Sequence, residues 1–398
     1  MLIQERATPL PAFALFELGF RPFFAAAALF AVLVMGIWMS LYLHSAEWIA
    51  PSFGSVYWHA HEMIFGYALA VIAGFLLTAV TNWTGQPGIR GGLLAGLFLP
   101  WLAARVLFSM ASDTTLIWAA SADTLFLLGL ILGVVHPVLK VRQWQQMGII
   151  GKLVLLLLAN LVFYMGALGF LANGVVTGIY MGLYLVLALL FAMARRVMPF
   201  FIEKGVSETF KPRNRKWVDW GSLVLLLLWA VLDLFFAVPR AVGVLSLLLV
   251  AVHTLRLADW YTPGIFKVPL LWSLYIGYGF LALGFLFKAG AIWADLPASL
   301  AVHAFTVGGI GLMTLGMMSR VGLAHTGRNI FDAPGFLGFI FGLMLVAGLV
   351  RVILPIVDMS HYTLWIGLSQ LAWMVCFGWF ATLYLPFLLS PRTDGRRG

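Results

Sequence analysis

The stretch Trp58-His59-Ala60-His61-Glu62 sets two imidazoles and a carboxylate side by side near the start of a long apolar run, and His303 lies early in another. Ionisable side chains are expensive in hydrocarbon, so by default they mark a site. Residues two apart on a helix point about 200° from each other, so His59 and His61 cannot both face one ligand. His59 shares a face with Glu62 and Met63, and His61 with Phe65. The zinc-protease pattern His-Glu-X-X-His, with histidines four apart, is absent. Facing imidazoles inside a helical bundle hold haem iron, or a metal ion completed by carboxylates. Trp58, Phe65, Tyr67 and Phe305 supply the bulky apolar surroundings that a porphyrin needs. Arg105 and Arg351 are placed to neutralise its propionates. The bland alternative is that the histidines hydrogen-bond within the bundle while the arginines snorkel to the interface.

The elements that carry these residues must be membrane-spanning. Of 398 residues, 63% are hydrophobic and 10% are charged, whereas soluble domains average about 25% charged. Apolar stretches of about 20 residues fall near 22–44, 55–80, 91–110, 116–138, 149–171, 174–200, 217–236, 238–256, 268–291, 298–320, 334–357 and 361–389. The expected fold is therefore all-α: twelve transmembrane helices in one compact bundle, a single polytopic domain over 1–398. Unbroken leucine runs at Leu153–Leu158 and Leu223–Leu228 argue against a β-barrel. Met1–Phe13 lacks the features of a cleavable signal. The lone cysteine, Cys376, excludes a disulfide within the chain and covalent c-type haem attachment, and is expected only to pack.

The net charge of +9 would suggest nucleic acid in a soluble protein. Here the cations lie between apolar runs. Assigning alternate loops to opposite sides puts all of them, from Arg6 to Arg397, on one side except Arg105, Arg240, Lys288 and Arg351. Positive loops stay in the cytoplasm, which places both termini there. Even-numbered runs then begin outside. His59 and His61 in the second and His303 in the tenth reach roughly 9–10 Å below their helix starts, at a common level in the outer leaflet.

Several other residues carry weaker signals. Asp123 is expected to pair with Arg105. His253, three residues before Arg256, reads as an interfacial anchor, and His325 as a solvated loop residue. Met313, Met317 and Met318 suit core packing. Gly308, Gly309, Gly311 and Gly316 allow close approach by a neighbouring helix or by a flat cofactor, with neither favoured. The basic stretch from Arg195 to Lys216 suits a topogenic anchor that attracts anionic membrane lipids.

Taken together, the chain resembles the NnrS family, membrane proteins of the bacterial nitric-oxide response described as containing haem and copper. The resemblance rests on Phe16-Glu17-Leu18-Gly19-Phe20-Arg21-Pro22-Phe23-Phe24, on Trp58 to Tyr67 continuing to Asn82-Trp83-Thr84-Gly85, on Arg195-Arg196-Val197-Met198-Pro199-Phe200-Phe201, and on the run from His303 to Arg328. It implies a role in nitrosative-stress tolerance and denitrification, in a bacterial inner membrane, with non-covalent, b-type haem. A weaker similarity is to the catalytic subunit of haem-copper oxidases and nitric-oxide reductases, where histidines on the second and tenth helices bind haem; His59 and His303 resemble those positions. In that superfamily three histidines on the sixth and seventh helices bind copper, whereas here residues 174–236 contain none. Copper would thus need other ligands: whichever of His59 and His61 does not bind haem, with Met63, since methionine favours the cuprous ion. The expected function is nitric-oxide binding or electron relay at haem between the second and tenth helices. The alternatives are a nitric-oxide reductase drawing on the quinol pool and a transporter of metal or small ions.

Overall fold

The computed structural model describes residues 13–46, 49, 51–206 and 209–396. Arg6 and Arg397, counted among the cations above, fall outside that set, as do all but the last residue of Met1–Phe13. Among the described residues there are twelve helices long and apolar enough to cross a membrane. They are α1 (Phe20–Leu43), α2 (Ser55–Thr84), α3 (Gly92–Ser109), α4 (Asp113–Lys140), α5 (Trp144–Ala167), α6 (Gly174–Val206), α7 (Lys216–Phe235), α8 (Pro239–Trp260), α9 (Pro269–Trp293), α10 (Ala298–His325), α11 (Leu337–Val357) and α12 (Tyr362–Leu389). With no water in the bilayer core, each backbone amide must be satisfied within its own segment, which is why long apolar runs become helices there.

Their ends follow local chemistry. Ser112 caps α4, accepting from the Thr115 amide while the Thr115 hydroxyl accepts from the Ser112 amide. Pro239 and Pro269 open α8 and α9, where a missing amide hydrogen costs nothing. Gly85 ends α2 at φ 65°, a left-handed conformation that glycine adopts without strain. At the opposite end of the chain, α12 finishes with open carbonyls. The guanidinium of Arg21, at the start of α1, donates to those of Phe387 (3.2 Å), Leu388 (2.8 Å) and Ser390 (2.7 Å). That tie joins the first and last helices, which pack along their length.

Successive helices are mostly spatial neighbours, and the pairing of α1 with α12 closes the bundle. Two helices are more enclosed than the rest. In α2, 83% of the most apolar stretch is buried and in α10 78%, against 22% in α7 and 33% in α3. The helices that carry the histidines are thus the central ones, both in contact with α1 and α6 and with each other. Leu93, Leu132 and Leu227, on outer helices, are exposed and face the lipid region. Glycines let neighbours approach α10 closely: a Cβ on Gly308 would run into the Phe280 ring, and one on Gly309 into Leu281. Neighbouring side chains, and not a flat cofactor, occupy the space those glycines leave.

Both central helices also depart from α geometry at the same place in their course. Glu62–Ala68 in α2 and Ala304–Gly311 in α10 are π-helical. Such wide turns are rare and tend to occur at functional sites. One begins directly after His61, the other directly after His303.

Candidate functional site

A cavity of about 430 Å³ lies among α1, α2, α6, α10, α11 and α12, toward the face at which the even-numbered helices begin. Its volume falls in the range of cofactor sites, roughly 300–1,000 Å³. Most of its wall is apolar or aromatic: Trp38, Tyr67, Ile179, Leu183, Ile310 and Trp373. The polar groups that reach it are few, and they include His59, His303, Arg351 and Gln370.

His303 arrives with its tautomer fixed. Its Nδ1 is 2.7 Å from the Ser299 carbonyl, which can only accept, so Nδ1 carries the hydrogen. The lone pair is then on Nε2, and Arg351 Nη2, which can only donate, lies 3.2 Å from it. His59 is held differently. Its ring stacks on Trp38 with centroids 4.6 Å apart and planes 7° from parallel. Its Nδ1 is buried without a partner, which leaves Nε2 as the nitrogen open to the cavity. Both side chains are only half-buried, and the area they expose faces this interior space. Arg351 Nη1 and both amide atoms of Gln370 are likewise buried with no partner. Met63, one turn beyond His59, and Met35 add thioethers to the lining.

His61 and Arg105 were expected at the same site as His59. The structure puts them in a separate cluster on the other side of α2. Arg105 donates to Glu62 and, at 2.5 Å, to Asp123 Oδ2, which also accepts from the Tyr164 hydroxyl at 2.8 Å. The Arg105–Asp123 pair expected from sequence is therefore present. His61 is wholly buried, its ring packed 4.1 Å from that of Phe108 and 4.4 Å from that of Phe163. Its Nδ1 faces Glu62 Oε1 at 3.2 Å and its Nε2 faces Asn160 Oδ1 at 2.9 Å. Neither nitrogen is left for a ligand. The 200° that separates neighbours two apart on a helix sends the two histidines of one short motif into two different environments.

Other expectations also shift. Of the four bulky residues named around the site, Tyr67 lines the cavity, Trp58 is buried beside it, Phe65 packs on His61 and Phe305 packs on Phe285. His253 is not interfacial. It is buried against Phe191 at 4.1 Å and hydrogen-bonded to the Tyr278 hydroxyl at 2.7 Å, which Arg256 also reaches at 3.1 Å. His325 ends α10 half-buried against Phe20, not in a solvated loop. Sequence reasoning missed Gln370, Trp38 and Ser299. A glutamine inside the last apolar run was a readable signal, because an amide in hydrocarbon needs a partner.

The two centrally placed helices, their paired π-helical turns and the histidine-lined cavity fall within one long region of similarity. Residues 14–392 match the family described as NnrS protein. The chain belongs to the NnrS family. Membership makes it a membrane protein of the nitric-oxide response. No curated protein matches the chain. Several of the motifs shared with NnrS turn out to be structural. Arg21 ties α1 to α12, Arg196 lies over the Trp83 ring at 4.1 Å, and Arg328 over that of Phe387 at 3.8 Å.

Proposed function

We propose that this NnrS-family chain is an inner-membrane haem protein of nitrosative-stress tolerance, with haem held between α2 and α10 by His59 and His303. The observation that carries the reading is the shared cavity into which both imidazoles turn, one with its lone pair preset on Nε2 and one with Nε2 free. When bound, haem would supply a reversible redox centre and a site for nitric oxide. The chain does the rest. Ser299 fixes the His303 tautomer, as a second partner commonly does for a ligating histidine. His303 Nε2 would hold the iron in place of the hydrogen bond that Arg351 gives it, and Arg351, whose Nη1 already lacks an acceptor, would then be free to pair with a propionate. Trp38 holds the His59 ring by stacking. Gln370 offers a donor and an acceptor to whatever polar group sits in the cavity.

Among the described residues no three His, Cys, Asp or Glu side chains cluster as a metal site. Copper beside the haem would accordingly draw on the thioethers of Met63 and Met35, soft ligands that suit the cuprous ion. The positive-inside sorting of cations supports a cytoplasmic location for both termini and a periplasmic-side haem, with electrons drawn from a donor such as quinol. Absorption spectra of the purified parent and of three variants test the axial pair. Reduced haem bands are expected in the parent and in His61→Ala, and are expected to be lost in His59→Ala and His303→Ala. Bands that survive in either of the last two, or vanish only in His61→Ala, would sink the assignment. Consumption of nitric oxide by the reduced, purified protein distinguishes turnover from binding.

A further inference from the structure

A second cavity, smaller and well away from the histidines, lies toward the other end of the bundle among α2, α6, α9 and α10. It is a cleft of about 70 Å³ whose wall includes Ile72, Phe75, Met193, Met198, Leu274 and Met317. The Tyr67 hydroxyl, 2.6 Å from Thr314 Oγ1, separates it from the larger cavity, since Tyr67 lines one and Thr314 the other. Its lining is almost wholly apolar, and a charged group lies one helical turn beyond it. Arg320 lies one helical turn beyond Met317 on α10, and its guanidinium is 3.9 Å from the ring centroid of Phe201, which lies one turn beyond Met198 on α6.

Arg320 is 5% exposed. Among the described residues no carboxylate stands within ion-pair distance of it, and its guanidinium makes no hydrogen bond. Among the described residues its partner is the Phe201 ring, on which it stacks. Buried cations are normally paired, because removal from water is costly and only a nearby charge or several hydrogen bonds offset it. Arg196, on α6, likewise has no acidic partner among the described residues. It stacks on Trp83 and donates to Gln146 Oε1 at 2.8 Å. This is the end of the bundle where nearly all the cations of the chain are gathered. An apolar cleft followed, one turn along both α6 and α10, by an unneutralised, aromatic-backed arginine is complementary to one kind of molecule, an anion on a hydrocarbon chain. Basic pockets between helices at the cytoplasmic side bind lipid headgroups on these terms.

We propose that this cleft is a site for an anionic phospholipid, its phosphate on Arg320 and an acyl chain along Met198 and Met317. The planar guanidinium, held flat by Phe201, presents its donors edge-on to a phosphate, which an ammonium cannot do in the same way.

The test uses the full-length protein, delipidated in a neutral detergent and titrated with phosphatidylglycerol, phosphatidylcholine, a neutral long-chain quinone or inorganic phosphate, with thermal unfolding as the readout. A saturable stabilisation by phosphatidylglycerol alone is expected. Arg320→Gln should weaken its apparent affinity about tenfold, the effect of losing one charge-assisted contact. Arg320→Lys should fall between. Met317→Trp, which keeps the arginine and fills the cleft, should abolish saturation, and it keeps the test alive if Arg320→Gln does not accumulate. The proposal fails if phosphatidylcholine or the quinone stabilises equally, if inorganic phosphate alone suffices, or if the Arg320 and Met317 variants respond like the parent.

Discussion

Gln370 and Arg105 show how buried polar residues can be told apart by what they touch. Gln370 lines the main cavity with neither amide atom bonded. An unsatisfied buried amide costs roughly 1–3 kcal/mol. Gln370→Leu should therefore raise the thermal stability of the haem-free protein while lowering its retention of haem. A loss of both would mean that the amide is merely structural. Arg105, by contrast, is paired, both Nη atoms donating to the carboxylates of Glu62 and Asp123. His61 meets oxygen acceptors at both nitrogens. Removing one partner of such a buried set costs about 3–5 kcal/mol. Arg105→Ala should sharply reduce accumulation and thermal stability. In whatever protein remains folded, the haem spectrum should be unchanged, because the cluster lies outside the cavity. A spectrum that shifts without a loss of stability would place Arg105 at the haem after all.

At the scale of elements, the π-helical turns are what aim the histidines. Each adds residues to a turn, so the segment before it is rotated relative to the segment after it. Inserting one alanine directly after Ala304–Gly311 should turn the segment that holds His303 by about 100° relative to the rest of α10. Membrane insertion should persist and haem binding should not, as judged by fractionation and absorption. Retained haem would show that the facing of His303 is incidental. Little of this was visible in the sequence. Helix positions were, because hydrophobic length is nearly sufficient to mark a span, and every observed helix overlaps its expected run. That the second and tenth runs bring histidines to a common level also followed, and His59 and His303 line one cavity. Which face each side chain takes did not, since a 3.6-residue period fails where the backbone widens. The same limit explains His253. A histidine three residues from an arginine near a helix end reads as interfacial, and only the packing of Phe191 and Tyr278 around it reveals a buried one.

For the molecule as a whole, the two cavities and the charge pattern define a polarity across the membrane. The histidine-lined cavity lies toward the nearly cation-free end, and the cleft above Arg320 toward the basic end. If positive loops stay in the cytoplasm, nitric oxide or an electron donor would meet the haem from the periplasmic side, and anionic lipid would be drawn from the inner leaflet. Cysteine labelling in intact cells decides this without altering the background, because the one native cysteine, Cys376, is buried and should stay silent. Ser112 and Asp295 are exposed at connections on the cation-poor side, and Gln145 and Asn329 at connections on the basic side. A membrane-impermeant thiol reagent should label Ser112→Cys and Asp295→Cys in whole cells, and Gln145→Cys and Asn329→Cys only after lysis. The inverse pattern would turn the bundle over, leaving the histidine cavity intact but facing the cytoplasm. A mixture within either pair would mean that a span has been miscounted, which twelve helices of this length and the clean sorting of cations argue against.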